Sequence, residues 1–136
     1  VKRVQDWPRR LAEEIEQART QPFDWGRCDC ALFAADVVQA LTGKDLAAPF
    51  RGLYDSRHGA ARALLALGYA CLEDAATAAL GVPRASPALA QRGDVVMVKT
   101  AEGPALGICN GSVAACAGPD GLSFVPMPLW LKAWEV

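Results

Sequence analysis

Asp29-Cys30 opens a stretch in which Phe33, Ala34, Val37 and Leu41 recur on one side of a helix. A thiol at a helix start meets free N–H groups and the positive end of the helix dipole, and both favour thiolate. Thiolate is the nucleophile of cysteine-based acyl transfer, so Cys30 is a candidate nucleophile with Asp29 beside it. A small thiol in an apolar helix also serves simply as core. A catalytic cysteine further needs a base to take its proton and return it to the leaving group. The chain has 1 histidine, His58, within Ser56-Arg57-His58-Gly59. It reaches Cys30 only if that segment folds over the site, and a surface histidine is the plainer reading. Two more carboxylates stand out. Asp94 follows Gly93 just ahead of a strand and suits a turn. Asp36, within the Cys30 helix, faces solvent or caps a loop.

The elements that must hold these residues read as helices first and strands second. Asp6-Trp7-Pro8 opens a helix carrying Trp7, Leu11, Ile15 and Ala18 on one side, and Thr20-Gln21-Pro22 ends it. The Cys30 helix closes at Gly43 and is apolar nearly all round, which marks it as the central buried helix. Residues 44–54 read as a loop. Ser56 caps a third helix through Leu67, and a fourth, alanine-rich helix covers 72–80 before Gly81. A connector with Pro83 and Pro87 follows. Strands are expected at 95–98, 104–109, 112–116 and 122–125, with 130–136 a last strand or short helix. Asn110-Gly111 signals a two-residue type I′ hairpin turn, and Pro119-Asp120-Gly121 makes another turn. The sum is one α+β domain over residues 1–136, helical to about residue 91 and an antiparallel sheet from about residue 92.

With 136 residues, 52% hydrophobic and 21% charged, the chain has enough apolar side chains for a real core. Its net charge is -1 and its Lys and Arg form no stripe, which argues against nucleic acid as a partner. No apolar run is long enough for a membrane span, and no signal-peptide pattern opens the sequence. The 5 cysteines are odd in number and irregularly spaced, so reduced thiols in a cytoplasmic setting are expected rather than a disulfide framework.

Several motifs fall in a familiar order. Phe23-x-Trp25-Gly26-x-x-Asp29-Cys30-x-x-Phe33 comes first, then Arg92-Gly93-Asp94-Val95-Val96, then Leu106-Gly107-Ile108 with Asn110-Gly111. From about Phe23 to about Phe124 this resembles the NlpC-type cell-wall endopeptidases, which are papain-fold cysteine peptidases. The likeness is closer to a family encoded in phage and prophage tail gene clusters. Its carriers are Cys30-Ala31-Leu32-Phe33-Ala34-Ala35-Asp36, Arg51-Gly52-x-Tyr54 and Pro119-Asp120-Gly121-Leu122. The resemblance implies a papain-like domain whose Cys-bearing helix packs on an antiparallel sheet of about four to six strands. It also implies a structural or assembly role at a tail tip or baseplate. Hub or tip subunits are then the partners, peptidoglycan is a further candidate, and the chain belongs in the virion and in the host cytoplasm during assembly. No cofactor is implied.

The chain departs from the peptidase pattern where it matters. The position that resembles the catalytic histidine carries Ala105, and the next polar position falls at Ala115 or Cys116. The resemblance therefore implies a pseudoenzyme. Two rivals remain. One is an active peptidoglycan endopeptidase or amidase with Cys30 as nucleophile and His58, or a partner's residue, as base. The other is a metal or iron–sulfur module. With Asn110-Gly111 as the turn, Cys109 faces Ser112 and Ala105 faces Cys116, so Ala105, Cys109 and Cys116 share one face of the sheet. In a papain-like arrangement that face looks toward Cys30, and Cys28, Cys30, Cys109 and Cys116 become candidate ligands. The single residue between Cys28 and Cys30 is short for zinc. Cys71 reads as a core thiol. Trp25, Trp130 and Trp134 line a groove or fill the core, and Trp130-Leu131 after Pro128 offers an apolar patch to a neighbouring subunit.

Overall fold

The computed structural model describes residues 2–136. Four helices precede five strands: α1 (Trp7–Ala18), α2 (Cys30–Thr42), α3 (Arg57–Ala66), α4 (Leu72–Leu80), β1 (Val95–Thr100), β2 (Gly103–Cys109), β3 (Val113–Gly118), β4 (Gly121–Pro126) and β5 (Trp130–Trp134). The α+β expectation holds, and the final segment is a strand. The helix signals locate α2, α3 and α4 closely. Gly43 ends α2 in the left-handed conformation, and the Ser56 side chain accepts from Gly59 N at the start of α3. Asp6 does not cap α1. Its carboxylate is taken by Arg9 and Arg10 one turn on, in exposed ion pairs.

The strands form one antiparallel sheet in the order β4-β3-β2-β1-β5. Alternation sends its side chains to two separate clusters. Val95, Met97, Leu106, Ile108, Ala115 and Trp134 meet Leu11, Ile15, Phe33, Val37 and Leu41 of α1 and α2 in the main core. Val96, Val98, Cys109, Ala114, Cys116, Trp130 and Ala133 form the second cluster on the other face.

The sheet cannot be flat. β4 and β5 are its two edges, yet only Met127–Leu129 joins them. Four strand intervals in a flat sheet span about 19 Å. The link from Pro126 to Trp130 reaches at most about 14 Å. The sheet must therefore curl until its edges approach, and the Trp130 indole N–H closes the gap by donating to Val125 O at 3.0 Å. The second cluster fills the concave side, and α1 and α2 pack on the convex side.

Close approach inside this curl depends on Gly107. A Cβ there would lie 2.5 Å from Cys116 Sγ and 2.6 Å from Ala115 O. The hairpin between β2 and β3 turns one residue later than its sequence signal. Asn110 N donates to Val113 O, Gly111 takes φ 87, and Cys109 faces Ala114. Glycine at the first central position is the type II′ arrangement, so Asn110 needs no positive φ. The register moves by two residues, which keeps Ala105, Cys109 and Cys116 on one face. That face is the concave one.

Asp94 ties together segments that are distant in sequence. It is fully buried, accepts from Gln91 N and Val136 N, and pairs with Arg84 at 2.8 Å and Arg3 at 3.2 Å. The turn expected there is real, since Asp94 N donates to Gln91 O, but the side chain does far more than shape it. α3 and α4 are held lightly by comparison. Each buries a single alanine, Ala63 or Ala76, and α4 is anchored by Trp134 Nε1 donating to Thr77 Oγ1 at 3.2 Å.

Candidate functional site at the start of the second helix

Asp29 organises the N-terminus of α2. Its Oδ1 accepts from Leu32 N at 3.0 Å, which caps the helix. Its Oδ2 accepts from Gly26 N at 3.0 Å and from the Tyr54 hydroxyl at 2.5 Å. The carboxylate is 1% exposed, and its donors come from the preceding loop, the helix and the 44–54 loop. Burial and the bond to Asp29 push the Tyr54 hydroxyl well above its ordinary pKa, so it stays a proton donor.

Gly26 explains the aromatic-glycine motif. It adopts φ 83, and a Cβ would fall 1.9 Å from Tyr54 O. Its carbonyl accepts from Gly52 N at 3.1 Å. Arg51 completes the same lock by pairing with Asp36 of α2 at 2.7 Å and with Asp45 at 2.9 Å. Asp36 is thus neither idle nor a cap; it clamps the loop to the helix. The residue reading missed Tyr54 and Arg51 as partners of Asp29 and Asp36. Their places in Arg51-Gly52-x-Tyr54 were the only signal, because such long-range pairs leave no local periodicity.

Cys30 follows Asp29 and is half-buried. The dipole argument predicts a lowered thiol pKa; the structure gives the reverse. Burial pushes the thiol up, the Leu106, Ala31 and Cys30 amides pull it down less, and the neighbouring Asp29 carboxylate adds to the rise. The thiol is therefore held protonated. Asp29 is turned to backbone amides and Tyr54, so it is positioned as a structural cap and not as an acid–base partner.

Beneath Cys30 lies a cavity of about 160 Å³, bounded by α2, the 44–54 loop, α3 and α4. Trp25 lines it, as a binding residue would, and stacks edge-on against Phe23 with ring centroids 4.9 Å apart. His58 does not. It is exposed on α3, which lines the cavity with Ala60 and Leu64 instead. Ala105 lies on the concave side of the sheet beside the second cluster, and β2 presents Leu106 toward the cavity.

The cysteine set is not assembled. Cys109 and Cys116 sit in the second cluster, where Cys116 Sγ lies 3.6 Å from Leu106 O and Cys109 Sγ lies 3.4 Å from Gly111 O. Cys28 belongs to a loop bridge with Asp24. Among the described residues no group of three or more His, Cys, Asp or Glu side chains could hold a metal ion. Cys116 does come near Cys30, whose charge acts on it, and both thiols lie against the Leu106 backbone, but among the described residues no third ligand joins them. Cys71 is exposed rather than core. Trp130 is buried and Trp134 is fully core, so neither lines a groove.

Fold and site together define an α+β domain in which a capped, protonated thiol overlooks an apolar cavity. Over residues 2–136 the chain matches the family described as a domain of unknown function (DUF6950), and it belongs to that family. No curated protein matches it.

Proposed function

We propose that this chain is a non-catalytic, papain-like domain of NlpC type that serves as a structural or assembly subunit of a phage or prophage tail, at the tip or baseplate. One observation carries the non-catalytic half: among the described residues, no imidazole reaches Cys30. The sole histidine is exposed on α3 and does not line the cavity. Without a base the thiol has no partner to accept its proton, and burial already disfavours thiolate. Loss of one member of such a unit removes most of its catalysis.

The tail assignment rests on the motif resemblance. A surface suited to subunit contact supports it. Met127, Leu129 and Leu131 are 38%, 42% and 44% exposed around the β4–β5 link, beside the buried Trp130.

The test has two parts. Purified protein and its Cys30→Ala variant are incubated with peptidoglycan and the muropeptides analysed, and no Cys30-dependent product is expected. Cys30-dependent cleavage makes the chain a hydrolase and ends the non-catalytic reading. In particles induced from a strain carrying the gene, the chain is expected in purified tails, and its deletion should leave tails incomplete. Normal infectious particles after deletion would remove the tail role.

A further inference from the structure

The cavity beneath Cys30 is walled by alanines, leucines and aromatic side chains. Ala34, Ala35 and Val38 of α2, Leu64 of α3 and Ala75 and Ala76 of α4 all line it. The pocket opens partly to solvent, so a ligand can enter it, while its walls remain apolar. Cavities of about 150 Å³ lined by apolar side chains stay dry and bind benzene-sized molecules. This one measures about 160 Å³.

Its polar groups are few and already engaged. Asp29 accepts from Gly26 N, Leu32 N and the Tyr54 hydroxyl, so both of its oxygens are satisfied. Among the described residues, no buried side-chain nitrogen or oxygen lacks a partner. A charged ligand would enter with nothing to pair with it, at a large desolvation cost. The lid is also suited to opening. α3 and α4 each bury a single residue fully, Ala63 or Ala76, although Leu72 and Leu80 also pack on the main core, so small shifts of these helices rather than their departure would admit a ligand.

We propose that this cavity is a binding site for an uncharged apolar ligand, an aromatic ring or a short alkyl chain of about six to eight carbons, seated between α2 and α4 with one end at Cys30. The site is distinct from any reaction at Cys30 and does not depend on a tail role. Its failure would leave the proposed function untouched.

The test is titration of the full chain with toluene and with n-octanol, followed by methyl NMR. Saturable shifts are expected at Val38, Leu64 and Leu72, together with a rise in Tm and slower alkylation of Cys30 by iodoacetamide. Ala35→Leu and Ala75→Leu, which fill the space, should each weaken binding at least tenfold. If the wild type gives no saturable shift with either probe, the space is a packing defect and the proposal falls. That outcome decides even where a filled variant does not fold. Octanol-blockable sedimentation with phosphatidylcholine vesicles assigns the natural ligand to a lipid chain. Octanol binding without sedimentation assigns it to a free small molecule.

Discussion

Asp29 stands where three donors from separate segments converge, so its removal should be costly out of proportion to its size. Asp29→Ala strips the cap from α2 and leaves Gly26 N and the Tyr54 hydroxyl without an acceptor. We expect a loss of about 3 kcal/mol in urea unfolding. Tyr54→Phe removes only one donor, and about 1 kcal/mol is expected. The thiols give a second prediction. Burial pushes Cys116 up to about 12. In the unfolded chain it titrates in the ordinary thiol range, so between those values the folded state holds a proton that the unfolded state releases. Stability is then full below about pH 8.5 and falls as the pH rises toward the folded value. Urea unfolding from pH 8 to 10.5 should show a decline, with on the order of 2 kcal/mol due to Cys116. Cys116→Ala should flatten the slope by that amount, whatever it does to the absolute stability. At this scale the sequence was half legible. Asp29-Cys30 at a helix start could be read because a cap and its helix are neighbours. The rise in the Cys30 pKa could not, because it comes from burial among segments distant in sequence, with Leu106 of β2 against the thiol.

Helices were the most legible elements, and for a physical reason. The Asp29 and Ser56 caps, the Gly43 terminator and the apolar spacing of α2 all act within a few residues of chain. Register was the weak point. Asn110-Gly111 is a strong turn signal, yet the turn centres on Gly111 and Ser112, in a register that also packs Cys116 over Gly107. That contact makes Gly107 the most demanding position in the sheet. Gly107→Ala places a methyl against a backbone carbonyl as well as the sulfur, so trimming the sulfur cannot rescue it. We expect a loss of about 3 kcal/mol or more by urea unfolding, with no recovery in the double variant that adds Cys116→Ala. Recovery would mean that the sulfur alone sets the contact.

At the scale of the whole molecule, the α+β order was legible, but the direction of packing was not. Alternation correctly grouped Ala105, Cys109 and Cys116 on one face. Nothing local says which face the helices choose, and in the structure Cys116 comes near Cys30 without Cys28 or Cys109 completing a ligand set. The curl that hides them follows from the short β4–β5 link, a connection whose length is plain in the sequence once the strand order is known. Asp94 holds this shape at its open end through Arg3, Arg84 and Val136 N. Asp94→Asn leaves two partly buried guanidinium groups short of their counter-charge, and about 3 kcal/mol of destabilisation is expected in thermal or urea unfolding. A Tm within a few degrees of the wild type would show that the clamp is dispensable.

The meeting of β4 with β5 carries a further consequence for how this domain meets others. An open sheet offers a template on which a foreign strand can be laid down. Here one margin is occupied by the Trp130 indole, and along the other Arg84 N donates to Ala133 O. Each contact takes up a backbone acceptor at its edge, so a strand added at either margin would have to displace it.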